Sequence, residues 1–180
     1  MALLPTGLRP YLLTCDANGR PIVPQASLAD IHEPYALLVP GGPGSRPASR
    51  DPVLLDFVRR CDETTHTTAS ICTGVLILAE AGLLAGRPAT THWRAAGELE
   101  ALGVRYVRRR WVEDGKYMMA AGVSAGIDMA LALVARWEDD AVARTVQFAL
   151  DYDPAPPLGP LDWREATDDL GTQSVSGPGS

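Results

Sequence analysis

Hydrophobic positions along the chain alternate between strand-like and helix-like spacing. Residues 35–39 form a continuous apolar run that ends at Pro40-Gly41-Gly42, and such a run predicts a strand buried on both faces of a parallel sheet. Residues 51–60 carry apolar side chains three and four positions apart, which predicts a helix. Residues 67–71 predict a second buried strand, and residues 73–84 predict a helix that follows it directly.

The same alternation continues along the rest of the chain. Asn18-Gly19 and Asp114-Gly115 are dipeptides typical of tight hairpin turns between strands. Short strands are predicted at 9–14, 88–91, 104–107 and on both sides of Asp114-Gly115, and helices at 93–102, 124–137 and 139–152. Strands that alternate with helices predict an α/β layered fold with a mainly parallel sheet.

The pattern changes after Asp153. The stretch "DPAPPLGP" cannot continue a helix, because proline lacks the amide donor and clashes with the preceding turn. The residues beyond it are polar and rich in glycine and serine. We therefore expect one domain over residues 1–158, followed by a flexible tail over 159–180.

Composition narrows the classes of protein and of partner. The 180 residues are 46% hydrophobic, which suits one domain with a substantial core. A net charge of -6 disfavours binding to nucleic acid. The N-terminal stretch "MALLPTGLRP" lacks the basic head and long apolar run of a signal peptide, and no apolar run is long enough to span a bilayer. We therefore expect a cytoplasmic protein without a membrane partner.

The cysteines and histidines point away from a disulfide framework and from a metal site. The cysteines are odd in number, without a CxxC pair, and the histidines lie far apart; they are Cys15, Cys61, Cys72, His32, His66 and His92. We interpret Cys15 and Cys61 as structural or surface thiols, and His32 and His66 as loop residues without a specific role.

Cys72 occupies the junction between a predicted strand and a predicted helix. "S-I-C-T-G" resembles a nucleophile elbow, a sharp turn that exposes the side chain, and a helix N-terminus favours the thiolate. The amide of Thr73 is then a candidate oxyanion donor, and the amide of Gly42 is a second one. His92 is the candidate base or orienting group. The alternatives are an inert core thiol and a hydrogen-bonded structural histidine.

The stretch "GVSAG" precedes a predicted apolar helix. Ser124 can cap that helix, and Asp128 near its first turn has a favourable interaction with the helix dipole. A role in the wall of the site, with Asp128 contacting substrate, is the second interpretation.

Four stretches together resemble the ThiJ/PfpI superfamily, which has the class I glutamine amidotransferase-like fold. They are "LLVPGGPG", "ASICTGVLILAEAGLLAGRPATTHW", "GVSAGIDMALALVAR" and "YDPAPP". Within the superfamily the sequence is most similar to isonitrile hydratases and to the sensor domains of AraC-type regulators. The resemblance implies a flavodoxin-like three-layer sandwich, a homodimer and no cofactor.

The resemblance also implies roles for individual residues. Cys72 matches the family nucleophile, and Thr73 matches the following residue, whose amide and hydroxyl face the substrate. Gly42 matches the glycine of the oxyanion loop, in which Gly41 is its neighbour, and His92 matches a histidine found at the same offset. An isonitrile hydratase adds water to an R–N≡C carbon to give an N-substituted formamide.

The sequence departs from the family pattern at two places. The family's first strand and helix, with an acidic residue that contacts the cysteine, are expected to be missing here, so the acid could lie upstream, come from another chain, or be lost. Pro43 and the stretch after it are unusual, so the pocket wall is expected to differ. The alternatives to a hydratase are a binding module without activity, or peptidase, deglycase, glyoxalase-like or biosynthetic chemistry. A transcription regulator is disfavoured because no basic helix-turn-helix follows the domain.

Overall fold

The computed structural model describes residues 26–162 and the backbone of residues 3–4, 14–15 and 21–22. The strands are β1 (Leu3–Leu4), β2 (Thr14–Cys15), β3 (Pro21–Ile22), β4 (Ala26–Ser27), β5 (Ala36–Val39), β6 (Thr67–Ile71), β7 (Pro88–Ala89), β8 (Arg105–Tyr106), β9 (Trp111–Asp114) and β10 (Tyr117–Ala120). The helices are α1 (Ser45–Ala48), α2 (Pro52–Thr64), α3 (Val75–Glu80), α4 (Ala96–Ala101), α5 (Ala125–Trp137) and α6 (Asp140–Ala149).

Four strands form the main sheet, in the order β5-β6-β10-β9. β5, β6 and β10 are parallel, whereas β9 pairs antiparallel with β10. In the register of β5 and β6, Val39 lies beside Ser70, so the segments that follow the two strands leave the sheet side by side. This places the glycine loop next to the residue that follows β6, at the carboxyl edge of the sheet where α/β folds bind ligands.

Helices cover both faces of this sheet. Phe57, Val58 and Cys61 of α2 and the buried side chains of α3 pack on one face. The other face carries Ala69, Met118 and Ala120 against Ala125, Met129 and Leu133 of α5. This alternation of side chains gives the three-layer α/β arrangement that the sequence predicts.

Burial of β5 differs from the expectation. Leu37 and Val39 are buried, but Leu38 is 53% exposed, so the prediction of a strand buried on both faces is wrong. The reason lies in the position of β5 at the end of the strand order, whereas the apolar cluster with α5 is built on β6 and β10. A run of apolar residues in the sequence does not by itself distinguish a central strand of a sheet from a terminal strand.

The hairpin between β9 and β10 is present, but its turn is shifted by one residue from the prediction. Asp114 pairs with Tyr117, so the turn residues are Gly115 and Lys116. Gly115 has φ +64°, a left-handed conformation that glycine adopts at little cost. β2 and β3 pair antiparallel, as expected for a hairpin. The predicted turn Asn18-Gly19 and residues 9–13 of the predicted first strand lie outside the described residues.

Helix boundaries follow capping chemistry. The Asp51 carboxylate accepts from the Val53 amide at 2.9 Å, and Pro52 starts α2 at a position where proline is tolerated. Asp139 caps α6 in the same way, accepting from the Val142 amide at 2.8 Å. Both helices therefore begin where polar residues satisfy their first free amides.

The chain divides into two compact units, Met1–Leu133 and Val134–Ser180. The first contains the sheet and the candidate site, and the second contains the end of α5 and α6. The predicted boundary between domain and tail at residue 158 stays a prediction, because residues 163–180 lie outside the described part. Within that part, no helix is both long and apolar enough to cross a membrane.

Candidate active site

Cys72 lies at a sharp turn between β6 and α3. A 3-10 turn over Cys72–Gly74 connects the strand to the helix, and Cys72 has φ +57°. A left-handed conformation is uncommon for a residue with a side chain, and strain of this kind concentrates at functional positions. The helix is shorter than predicted, since the chain turns after Glu80 and α3 starts only at Val75. The geometry is that of a nucleophile elbow.

The glycine loop passes so close to the Cys72 turn that only glycine fits at Gly41. A Cβ atom there would lie 2.7 Å from the Thr73 amide nitrogen and 2.8 Å from the Cys72 Cβ. Gly74 meets the loop from the other side, because a Cβ on it would lie 2.2 Å from the Val39 carbonyl oxygen. Two glycines thus let two backbones touch, and this contact brings the predicted glycine loop and the predicted nucleophile together.

Three polar groups join the loop to the turn. The Gly42 amide donates to Thr73 Oγ1 at 3.0 Å, and the Ser45 hydroxyl lies 2.7 Å from the same oxygen and 2.8 Å from the Gly42 carbonyl oxygen. Both hydroxyls are almost completely buried. The predicted second oxyanion donor, Gly42, is therefore engaged by the Thr73 hydroxyl in this structure, so a ligand must displace that bond to use the amide. Ser45 was not singled out by the sequence, because its partners lie in a distant segment.

A hydroxyl from a third segment supports the Cys72 turn. Thr91 Oγ1 donates to the Cys72 carbonyl oxygen at 3.0 Å, and Thr91 is 1% exposed. This bond brings the backbone next to His92 against the nucleophile turn. The sequence pattern does not single out Thr91, although this residue lies within the stretch "ATTHW".

His92 caps the 3-10 turn that precedes α4. Its Nδ1 accepts from the Arg94 amide at 3.3 Å, and its ring stacks on Trp93 with centroids 5.8 Å apart. Burial, and secondarily the charge of Arg94, lowers the pKa of His92 below its ordinary value. The ring is therefore neutral near pH 7, and since Nδ1 accepts, the proton lies on Nε2. In this state His92 can donate a hydrogen bond from Nε2.

The remaining candidates have structural partners. Asp128 forms an ion pair with Arg110, and the Arg110 guanidinium also lies 3.5 Å from Ser124 Oγ. Cys61 is a core residue whose thiol pKa is raised by burial, and the His66 ring lies tilted against the Tyr35 ring with centroids 4.8 Å apart. The Cys15 side chain lies outside the described residues. Within the described part, no group of three His, Cys, Asp or Glu side chains is arranged to hold a metal ion.

Comparison with known proteins gives the family of this chain. Residues 14–136 match the DJ-1/PfpI family, which is more than half of the chain. The chain belongs to the DJ-1/PfpI family. The resemblance found in the four sequence stretches is thereby confirmed, together with the α/β fold class.

Individual relatives sharpen the comparison. The chain is 39% identical to isonitrile hydratase of Pseudomonas putida over 142 residues, covering 79% of this chain and 62% of that protein. It is 39% identical over 103 residues to the HTH-type transcriptional regulator CdhR of Pseudomonas aeruginosa, covering 55% of this chain and 31% of the regulator. A ThiJ/PfpI family protein from Pseudomonas syringae superposes with a TM-score of 0.81 at 32% identity, covering 88% of this chain and 66% of that one. The chain thus spans less than two thirds of each of these relatives.

Proposed function

We propose that the protein is a cysteine-dependent hydratase of small isonitriles, with Cys72 as the nucleophile. The observation that carries the proposal is the strained turn at Cys72, which leaves this residue half-buried against a glycine loop, in a chain 39% identical to an isonitrile hydratase. A core thiol would not require this turn, and Cys61, which is in the core, does not have one.

The chemistry that we propose adds water in two steps. The Cys72 sulfur, as the thiolate, forms an S–C bond to the terminal carbon of R–N≡C, and the proton released from the Cys72 thiol moves to that carbon, giving the thioimidate R–N=CH–S–Cys72. Water then adds to the same carbon, the C–S bond breaks, and R–NH–CHO leaves with the thiol restored. No electrons enter or leave in either step.

We assign supporting roles to the residues around Cys72. The Thr73 amide, in the 3-10 turn that precedes α3, is assigned to stabilise negative charge that develops on the substrate. His92, with its proton on Nε2, is assigned to orient the substrate or the attacking water by donating a hydrogen bond from Nε2. The bond from Thr91 to the Cys72 carbonyl oxygen supports this assignment, because it holds the residue next to His92 at the turn.

The test is incubation with a series of small alkyl isonitriles while the formamide is measured by mass spectrometry. Cys72→Ala is expected to abolish product formation, whereas Cys61→Ala, which removes the buried thiol, is expected to retain it. Absence of formamide from the folded wild-type protein would overturn the hydratase proposal.

A binding module without turnover is the second candidate. The hydrogen bond from the Gly42 amide to Thr73 Oγ1 favours it, because the amide is then not free to stabilise a reacting group. Under this alternative, an isonitrile would leave a stable adduct on Cys72, or raise the melting temperature, without release of formamide.

We further propose a homodimer, as the family resemblance implies, in the cytoplasm. A partner chain that supplies a strand beside β5 is the alternative assembly, and the exposed Leu38 on this strand supports it. Light scattering distinguishes either assembly from a monomer of 19.2 kDa. The substitution Leu38→Lys is expected to weaken an assembly that forms through the edge of β5.

A further inference from the structure

An ion pair connects the two segments that flank Cys72. Arg46 lies in α1, one residue after Ser45, and Glu98 lies in α4, six residues after His92. Arg46 Nε lies 2.9 Å from Glu98 Oε2, and Arg46 Nη2 lies 2.6 Å from Glu98 Oε1. The side chains are 47% and 44% exposed, so the pair lies at the surface rather than in the core.

The bidentate geometry occupies only one edge of the guanidinium. Nε and one N–H of Nη2 face Glu98, and both N–H groups of Nη1 point elsewhere, so the planar group can bind a second acceptor. Glu98 holds the guanidinium in place without using these donors. Most exposed ion pairs contribute little to stability, but a bidentate arginine–carboxylate pair contributes more than most, so a structural role and a role at the site require separate tests.

The location of α1 brings this charge to the candidate site. Ser45, the neighbour of Arg46, bonds to the hydroxyl of Thr73, the residue after Cys72. The pKa of Arg46 is raised above its ordinary value, mainly by the hydrogen bond to Glu98 and to a smaller extent by negative charge on Cys72. Arg46 is thus carried by the same loop segment that is hydrogen-bonded to the Cys72 turn.

We propose that Arg46, oriented by Glu98, is a specificity-determining residue that favours substrates with an anionic group, such as a carboxylate, beside the carbon that Cys72 attacks. The inference rests on Cys72 as the reactive residue of the proposed function and names the substrate class of that site. The free edge of the guanidinium binds the anion, and the Glu98 carboxylate limits the attraction by partly neutralising the charge.

The experiment compares two alkylating reagents of similar size at Cys72. Iodoacetate is anionic and iodoacetamide is neutral, and both lose iodide when the thiolate attacks. Mass spectrometry of the peptide that contains Cys72 gives the rate constant for each. Replacing Arg46 by Met is expected to lower the iodoacetate to iodoacetamide ratio about threefold or more, and Glu98→Gln is expected to raise it. Both changes are expected to shrink at high salt.

Arg87→Met is the matched control. Arg87 forms a comparable ion pair with Asp114 at 2.7 Å and is 45% exposed, but it lies over the ring of Tyr117, at the opposite end of the sheet from Cys72. This variant is expected to leave the ratio unchanged.

The outcomes separate this inference from the hydratase proposal. If the Arg46 variant slows both reagents equally, the ion pair only positions the loop, and the inference is overturned. If Cys72 reacts with neither reagent in the folded protein, both proposals are overturned. If the ratio shifts as expected but no isonitrile is hydrated, the inference on anionic substrates stands and the hydratase proposal alone fails.

Discussion

At the scale of single residues, the site depends on which positions lack a side chain. Cys72 adopts φ +57°, and the neighbouring backbones approach it only because Gly41 and Gly74 have no Cβ. The strain at Cys72 is stabilised by contacts from the loop, not by its own sequence neighbours. Replacing either glycine by alanine, which adds only a Cβ, is therefore expected to disturb the site more than substitution by a larger side chain at an exposed position.

Gly74→Ala is expected to destabilise the protein by about 3 kcal/mol, because the added Cβ would lie 2.2 Å from the Val39 carbonyl oxygen and the backbone must move. Gly97→Ala is the matched control: Gly97 lies in α4 with open space at its Cβ position, so alanine is expected to stabilise by up to about 1 kcal/mol. Urea unfolding measures both. Equal stability of the two variants would contradict the close contact.

His92 is expected to make the stability fall as the pH falls. Its folded pKa is lowered, so below about pH 6.5 the unfolded chain binds more protons than the folded one. The stability is complete above the unfolded pKa and is lost as the pH drops through the folded pKa. His92→Asn keeps a side-chain acceptor for the Arg94 amide but does not titrate in this range.

The measurement is the urea midpoint at about pH 8 and at about pH 5.5. The wild type is expected to lose more stability than the Asn variant between the two. An identical loss in both would show that His92 is not the titrating group.

At the scale of elements, three segments converge on one turn. The glycine loop with α1, the β6–α3 turn, and the β7–α4 segment each contribute a hydroxyl or an amide to the region around Cys72. These bonds are buried or partly buried, so an unpaired group would be costly. Hydrogen bonds between pairs of segments thus stabilise the site. The contribution of each pair can be measured by removing one hydroxyl.

Thr91→Val is expected to cost about 1–2 kcal/mol, because the Cys72 carbonyl loses a buried donor. Thr90→Val is a closely matched control, since Thr90 Oγ1 donates to the Arg109 carbonyl oxygen at 2.9 Å, away from Cys72. Both variants are expected to lose similar stability by urea unfolding. Only Thr91→Val is expected to change the rate at which iodoacetamide alkylates Cys72. A change in the Thr90 variant as well would show that the effect is not local.

At the scale of the first unit, one end of the main sheet carries the candidate site and the other end carries a buried polar network. The carboxyl ends of β5 and β6 carry the candidate site. The opposite end carries a buried network around Asp62, which accepts from Thr68 Oγ1 at 2.6 Å and from the Tyr117 hydroxyl at 3.0 Å, and lies 3.2 Å from Lys116 Nζ. Every oxygen of this carboxylate has a partner, so the network stabilises the fold instead of forming a second reactive centre.

The network is expected to make the protein sensitive to alkaline pH. Burial, together with the hydrogen bond to Asp62, raises the pKa of Tyr117 to about 12. The folded state therefore keeps a proton that the unfolded chain loses near pH 10, so the stability falls as the pH rises toward 12. Urea unfolding at about pH 9 and about pH 11 measures this, with Tyr117→Phe as control. A loss of the same size in the Phe variant would contradict the assignment.

Much of the fold could be predicted because its signals are local. The bounds of the strand over Thr67–Ile71 agree with the prediction. The predicted end of the helix at Gly103 also agrees, because Gly103 has φ +76°, a left-handed conformation that favours glycine. Errors arose where burial depends on neighbours in space. Leu38 was expected to be buried, but β5 lies at the end of the strand order. The turn of the β9–β10 hairpin shifted by one residue, because pairing register, rather than the dipeptide alone, selects it.

The sequence alone determined the alternation of strands and helices from residue 35 to residue 152, the turn that carries Cys72 and the family, because periodicity, glycines and short motifs act over a few neighbouring residues. The short elements β1, β4 and α1 were not predicted. The tertiary structure alone decided which groups meet at that turn. Thr91 donates to a carbonyl 19 positions away, the Gly42 amide meets a hydroxyl 31 positions away, and Arg46 pairs with a residue 52 positions away. The packing of whole segments determines which of these distant residues meet, so no local sequence pattern predicts the partners. The chemistry around Cys72 depends on these partners.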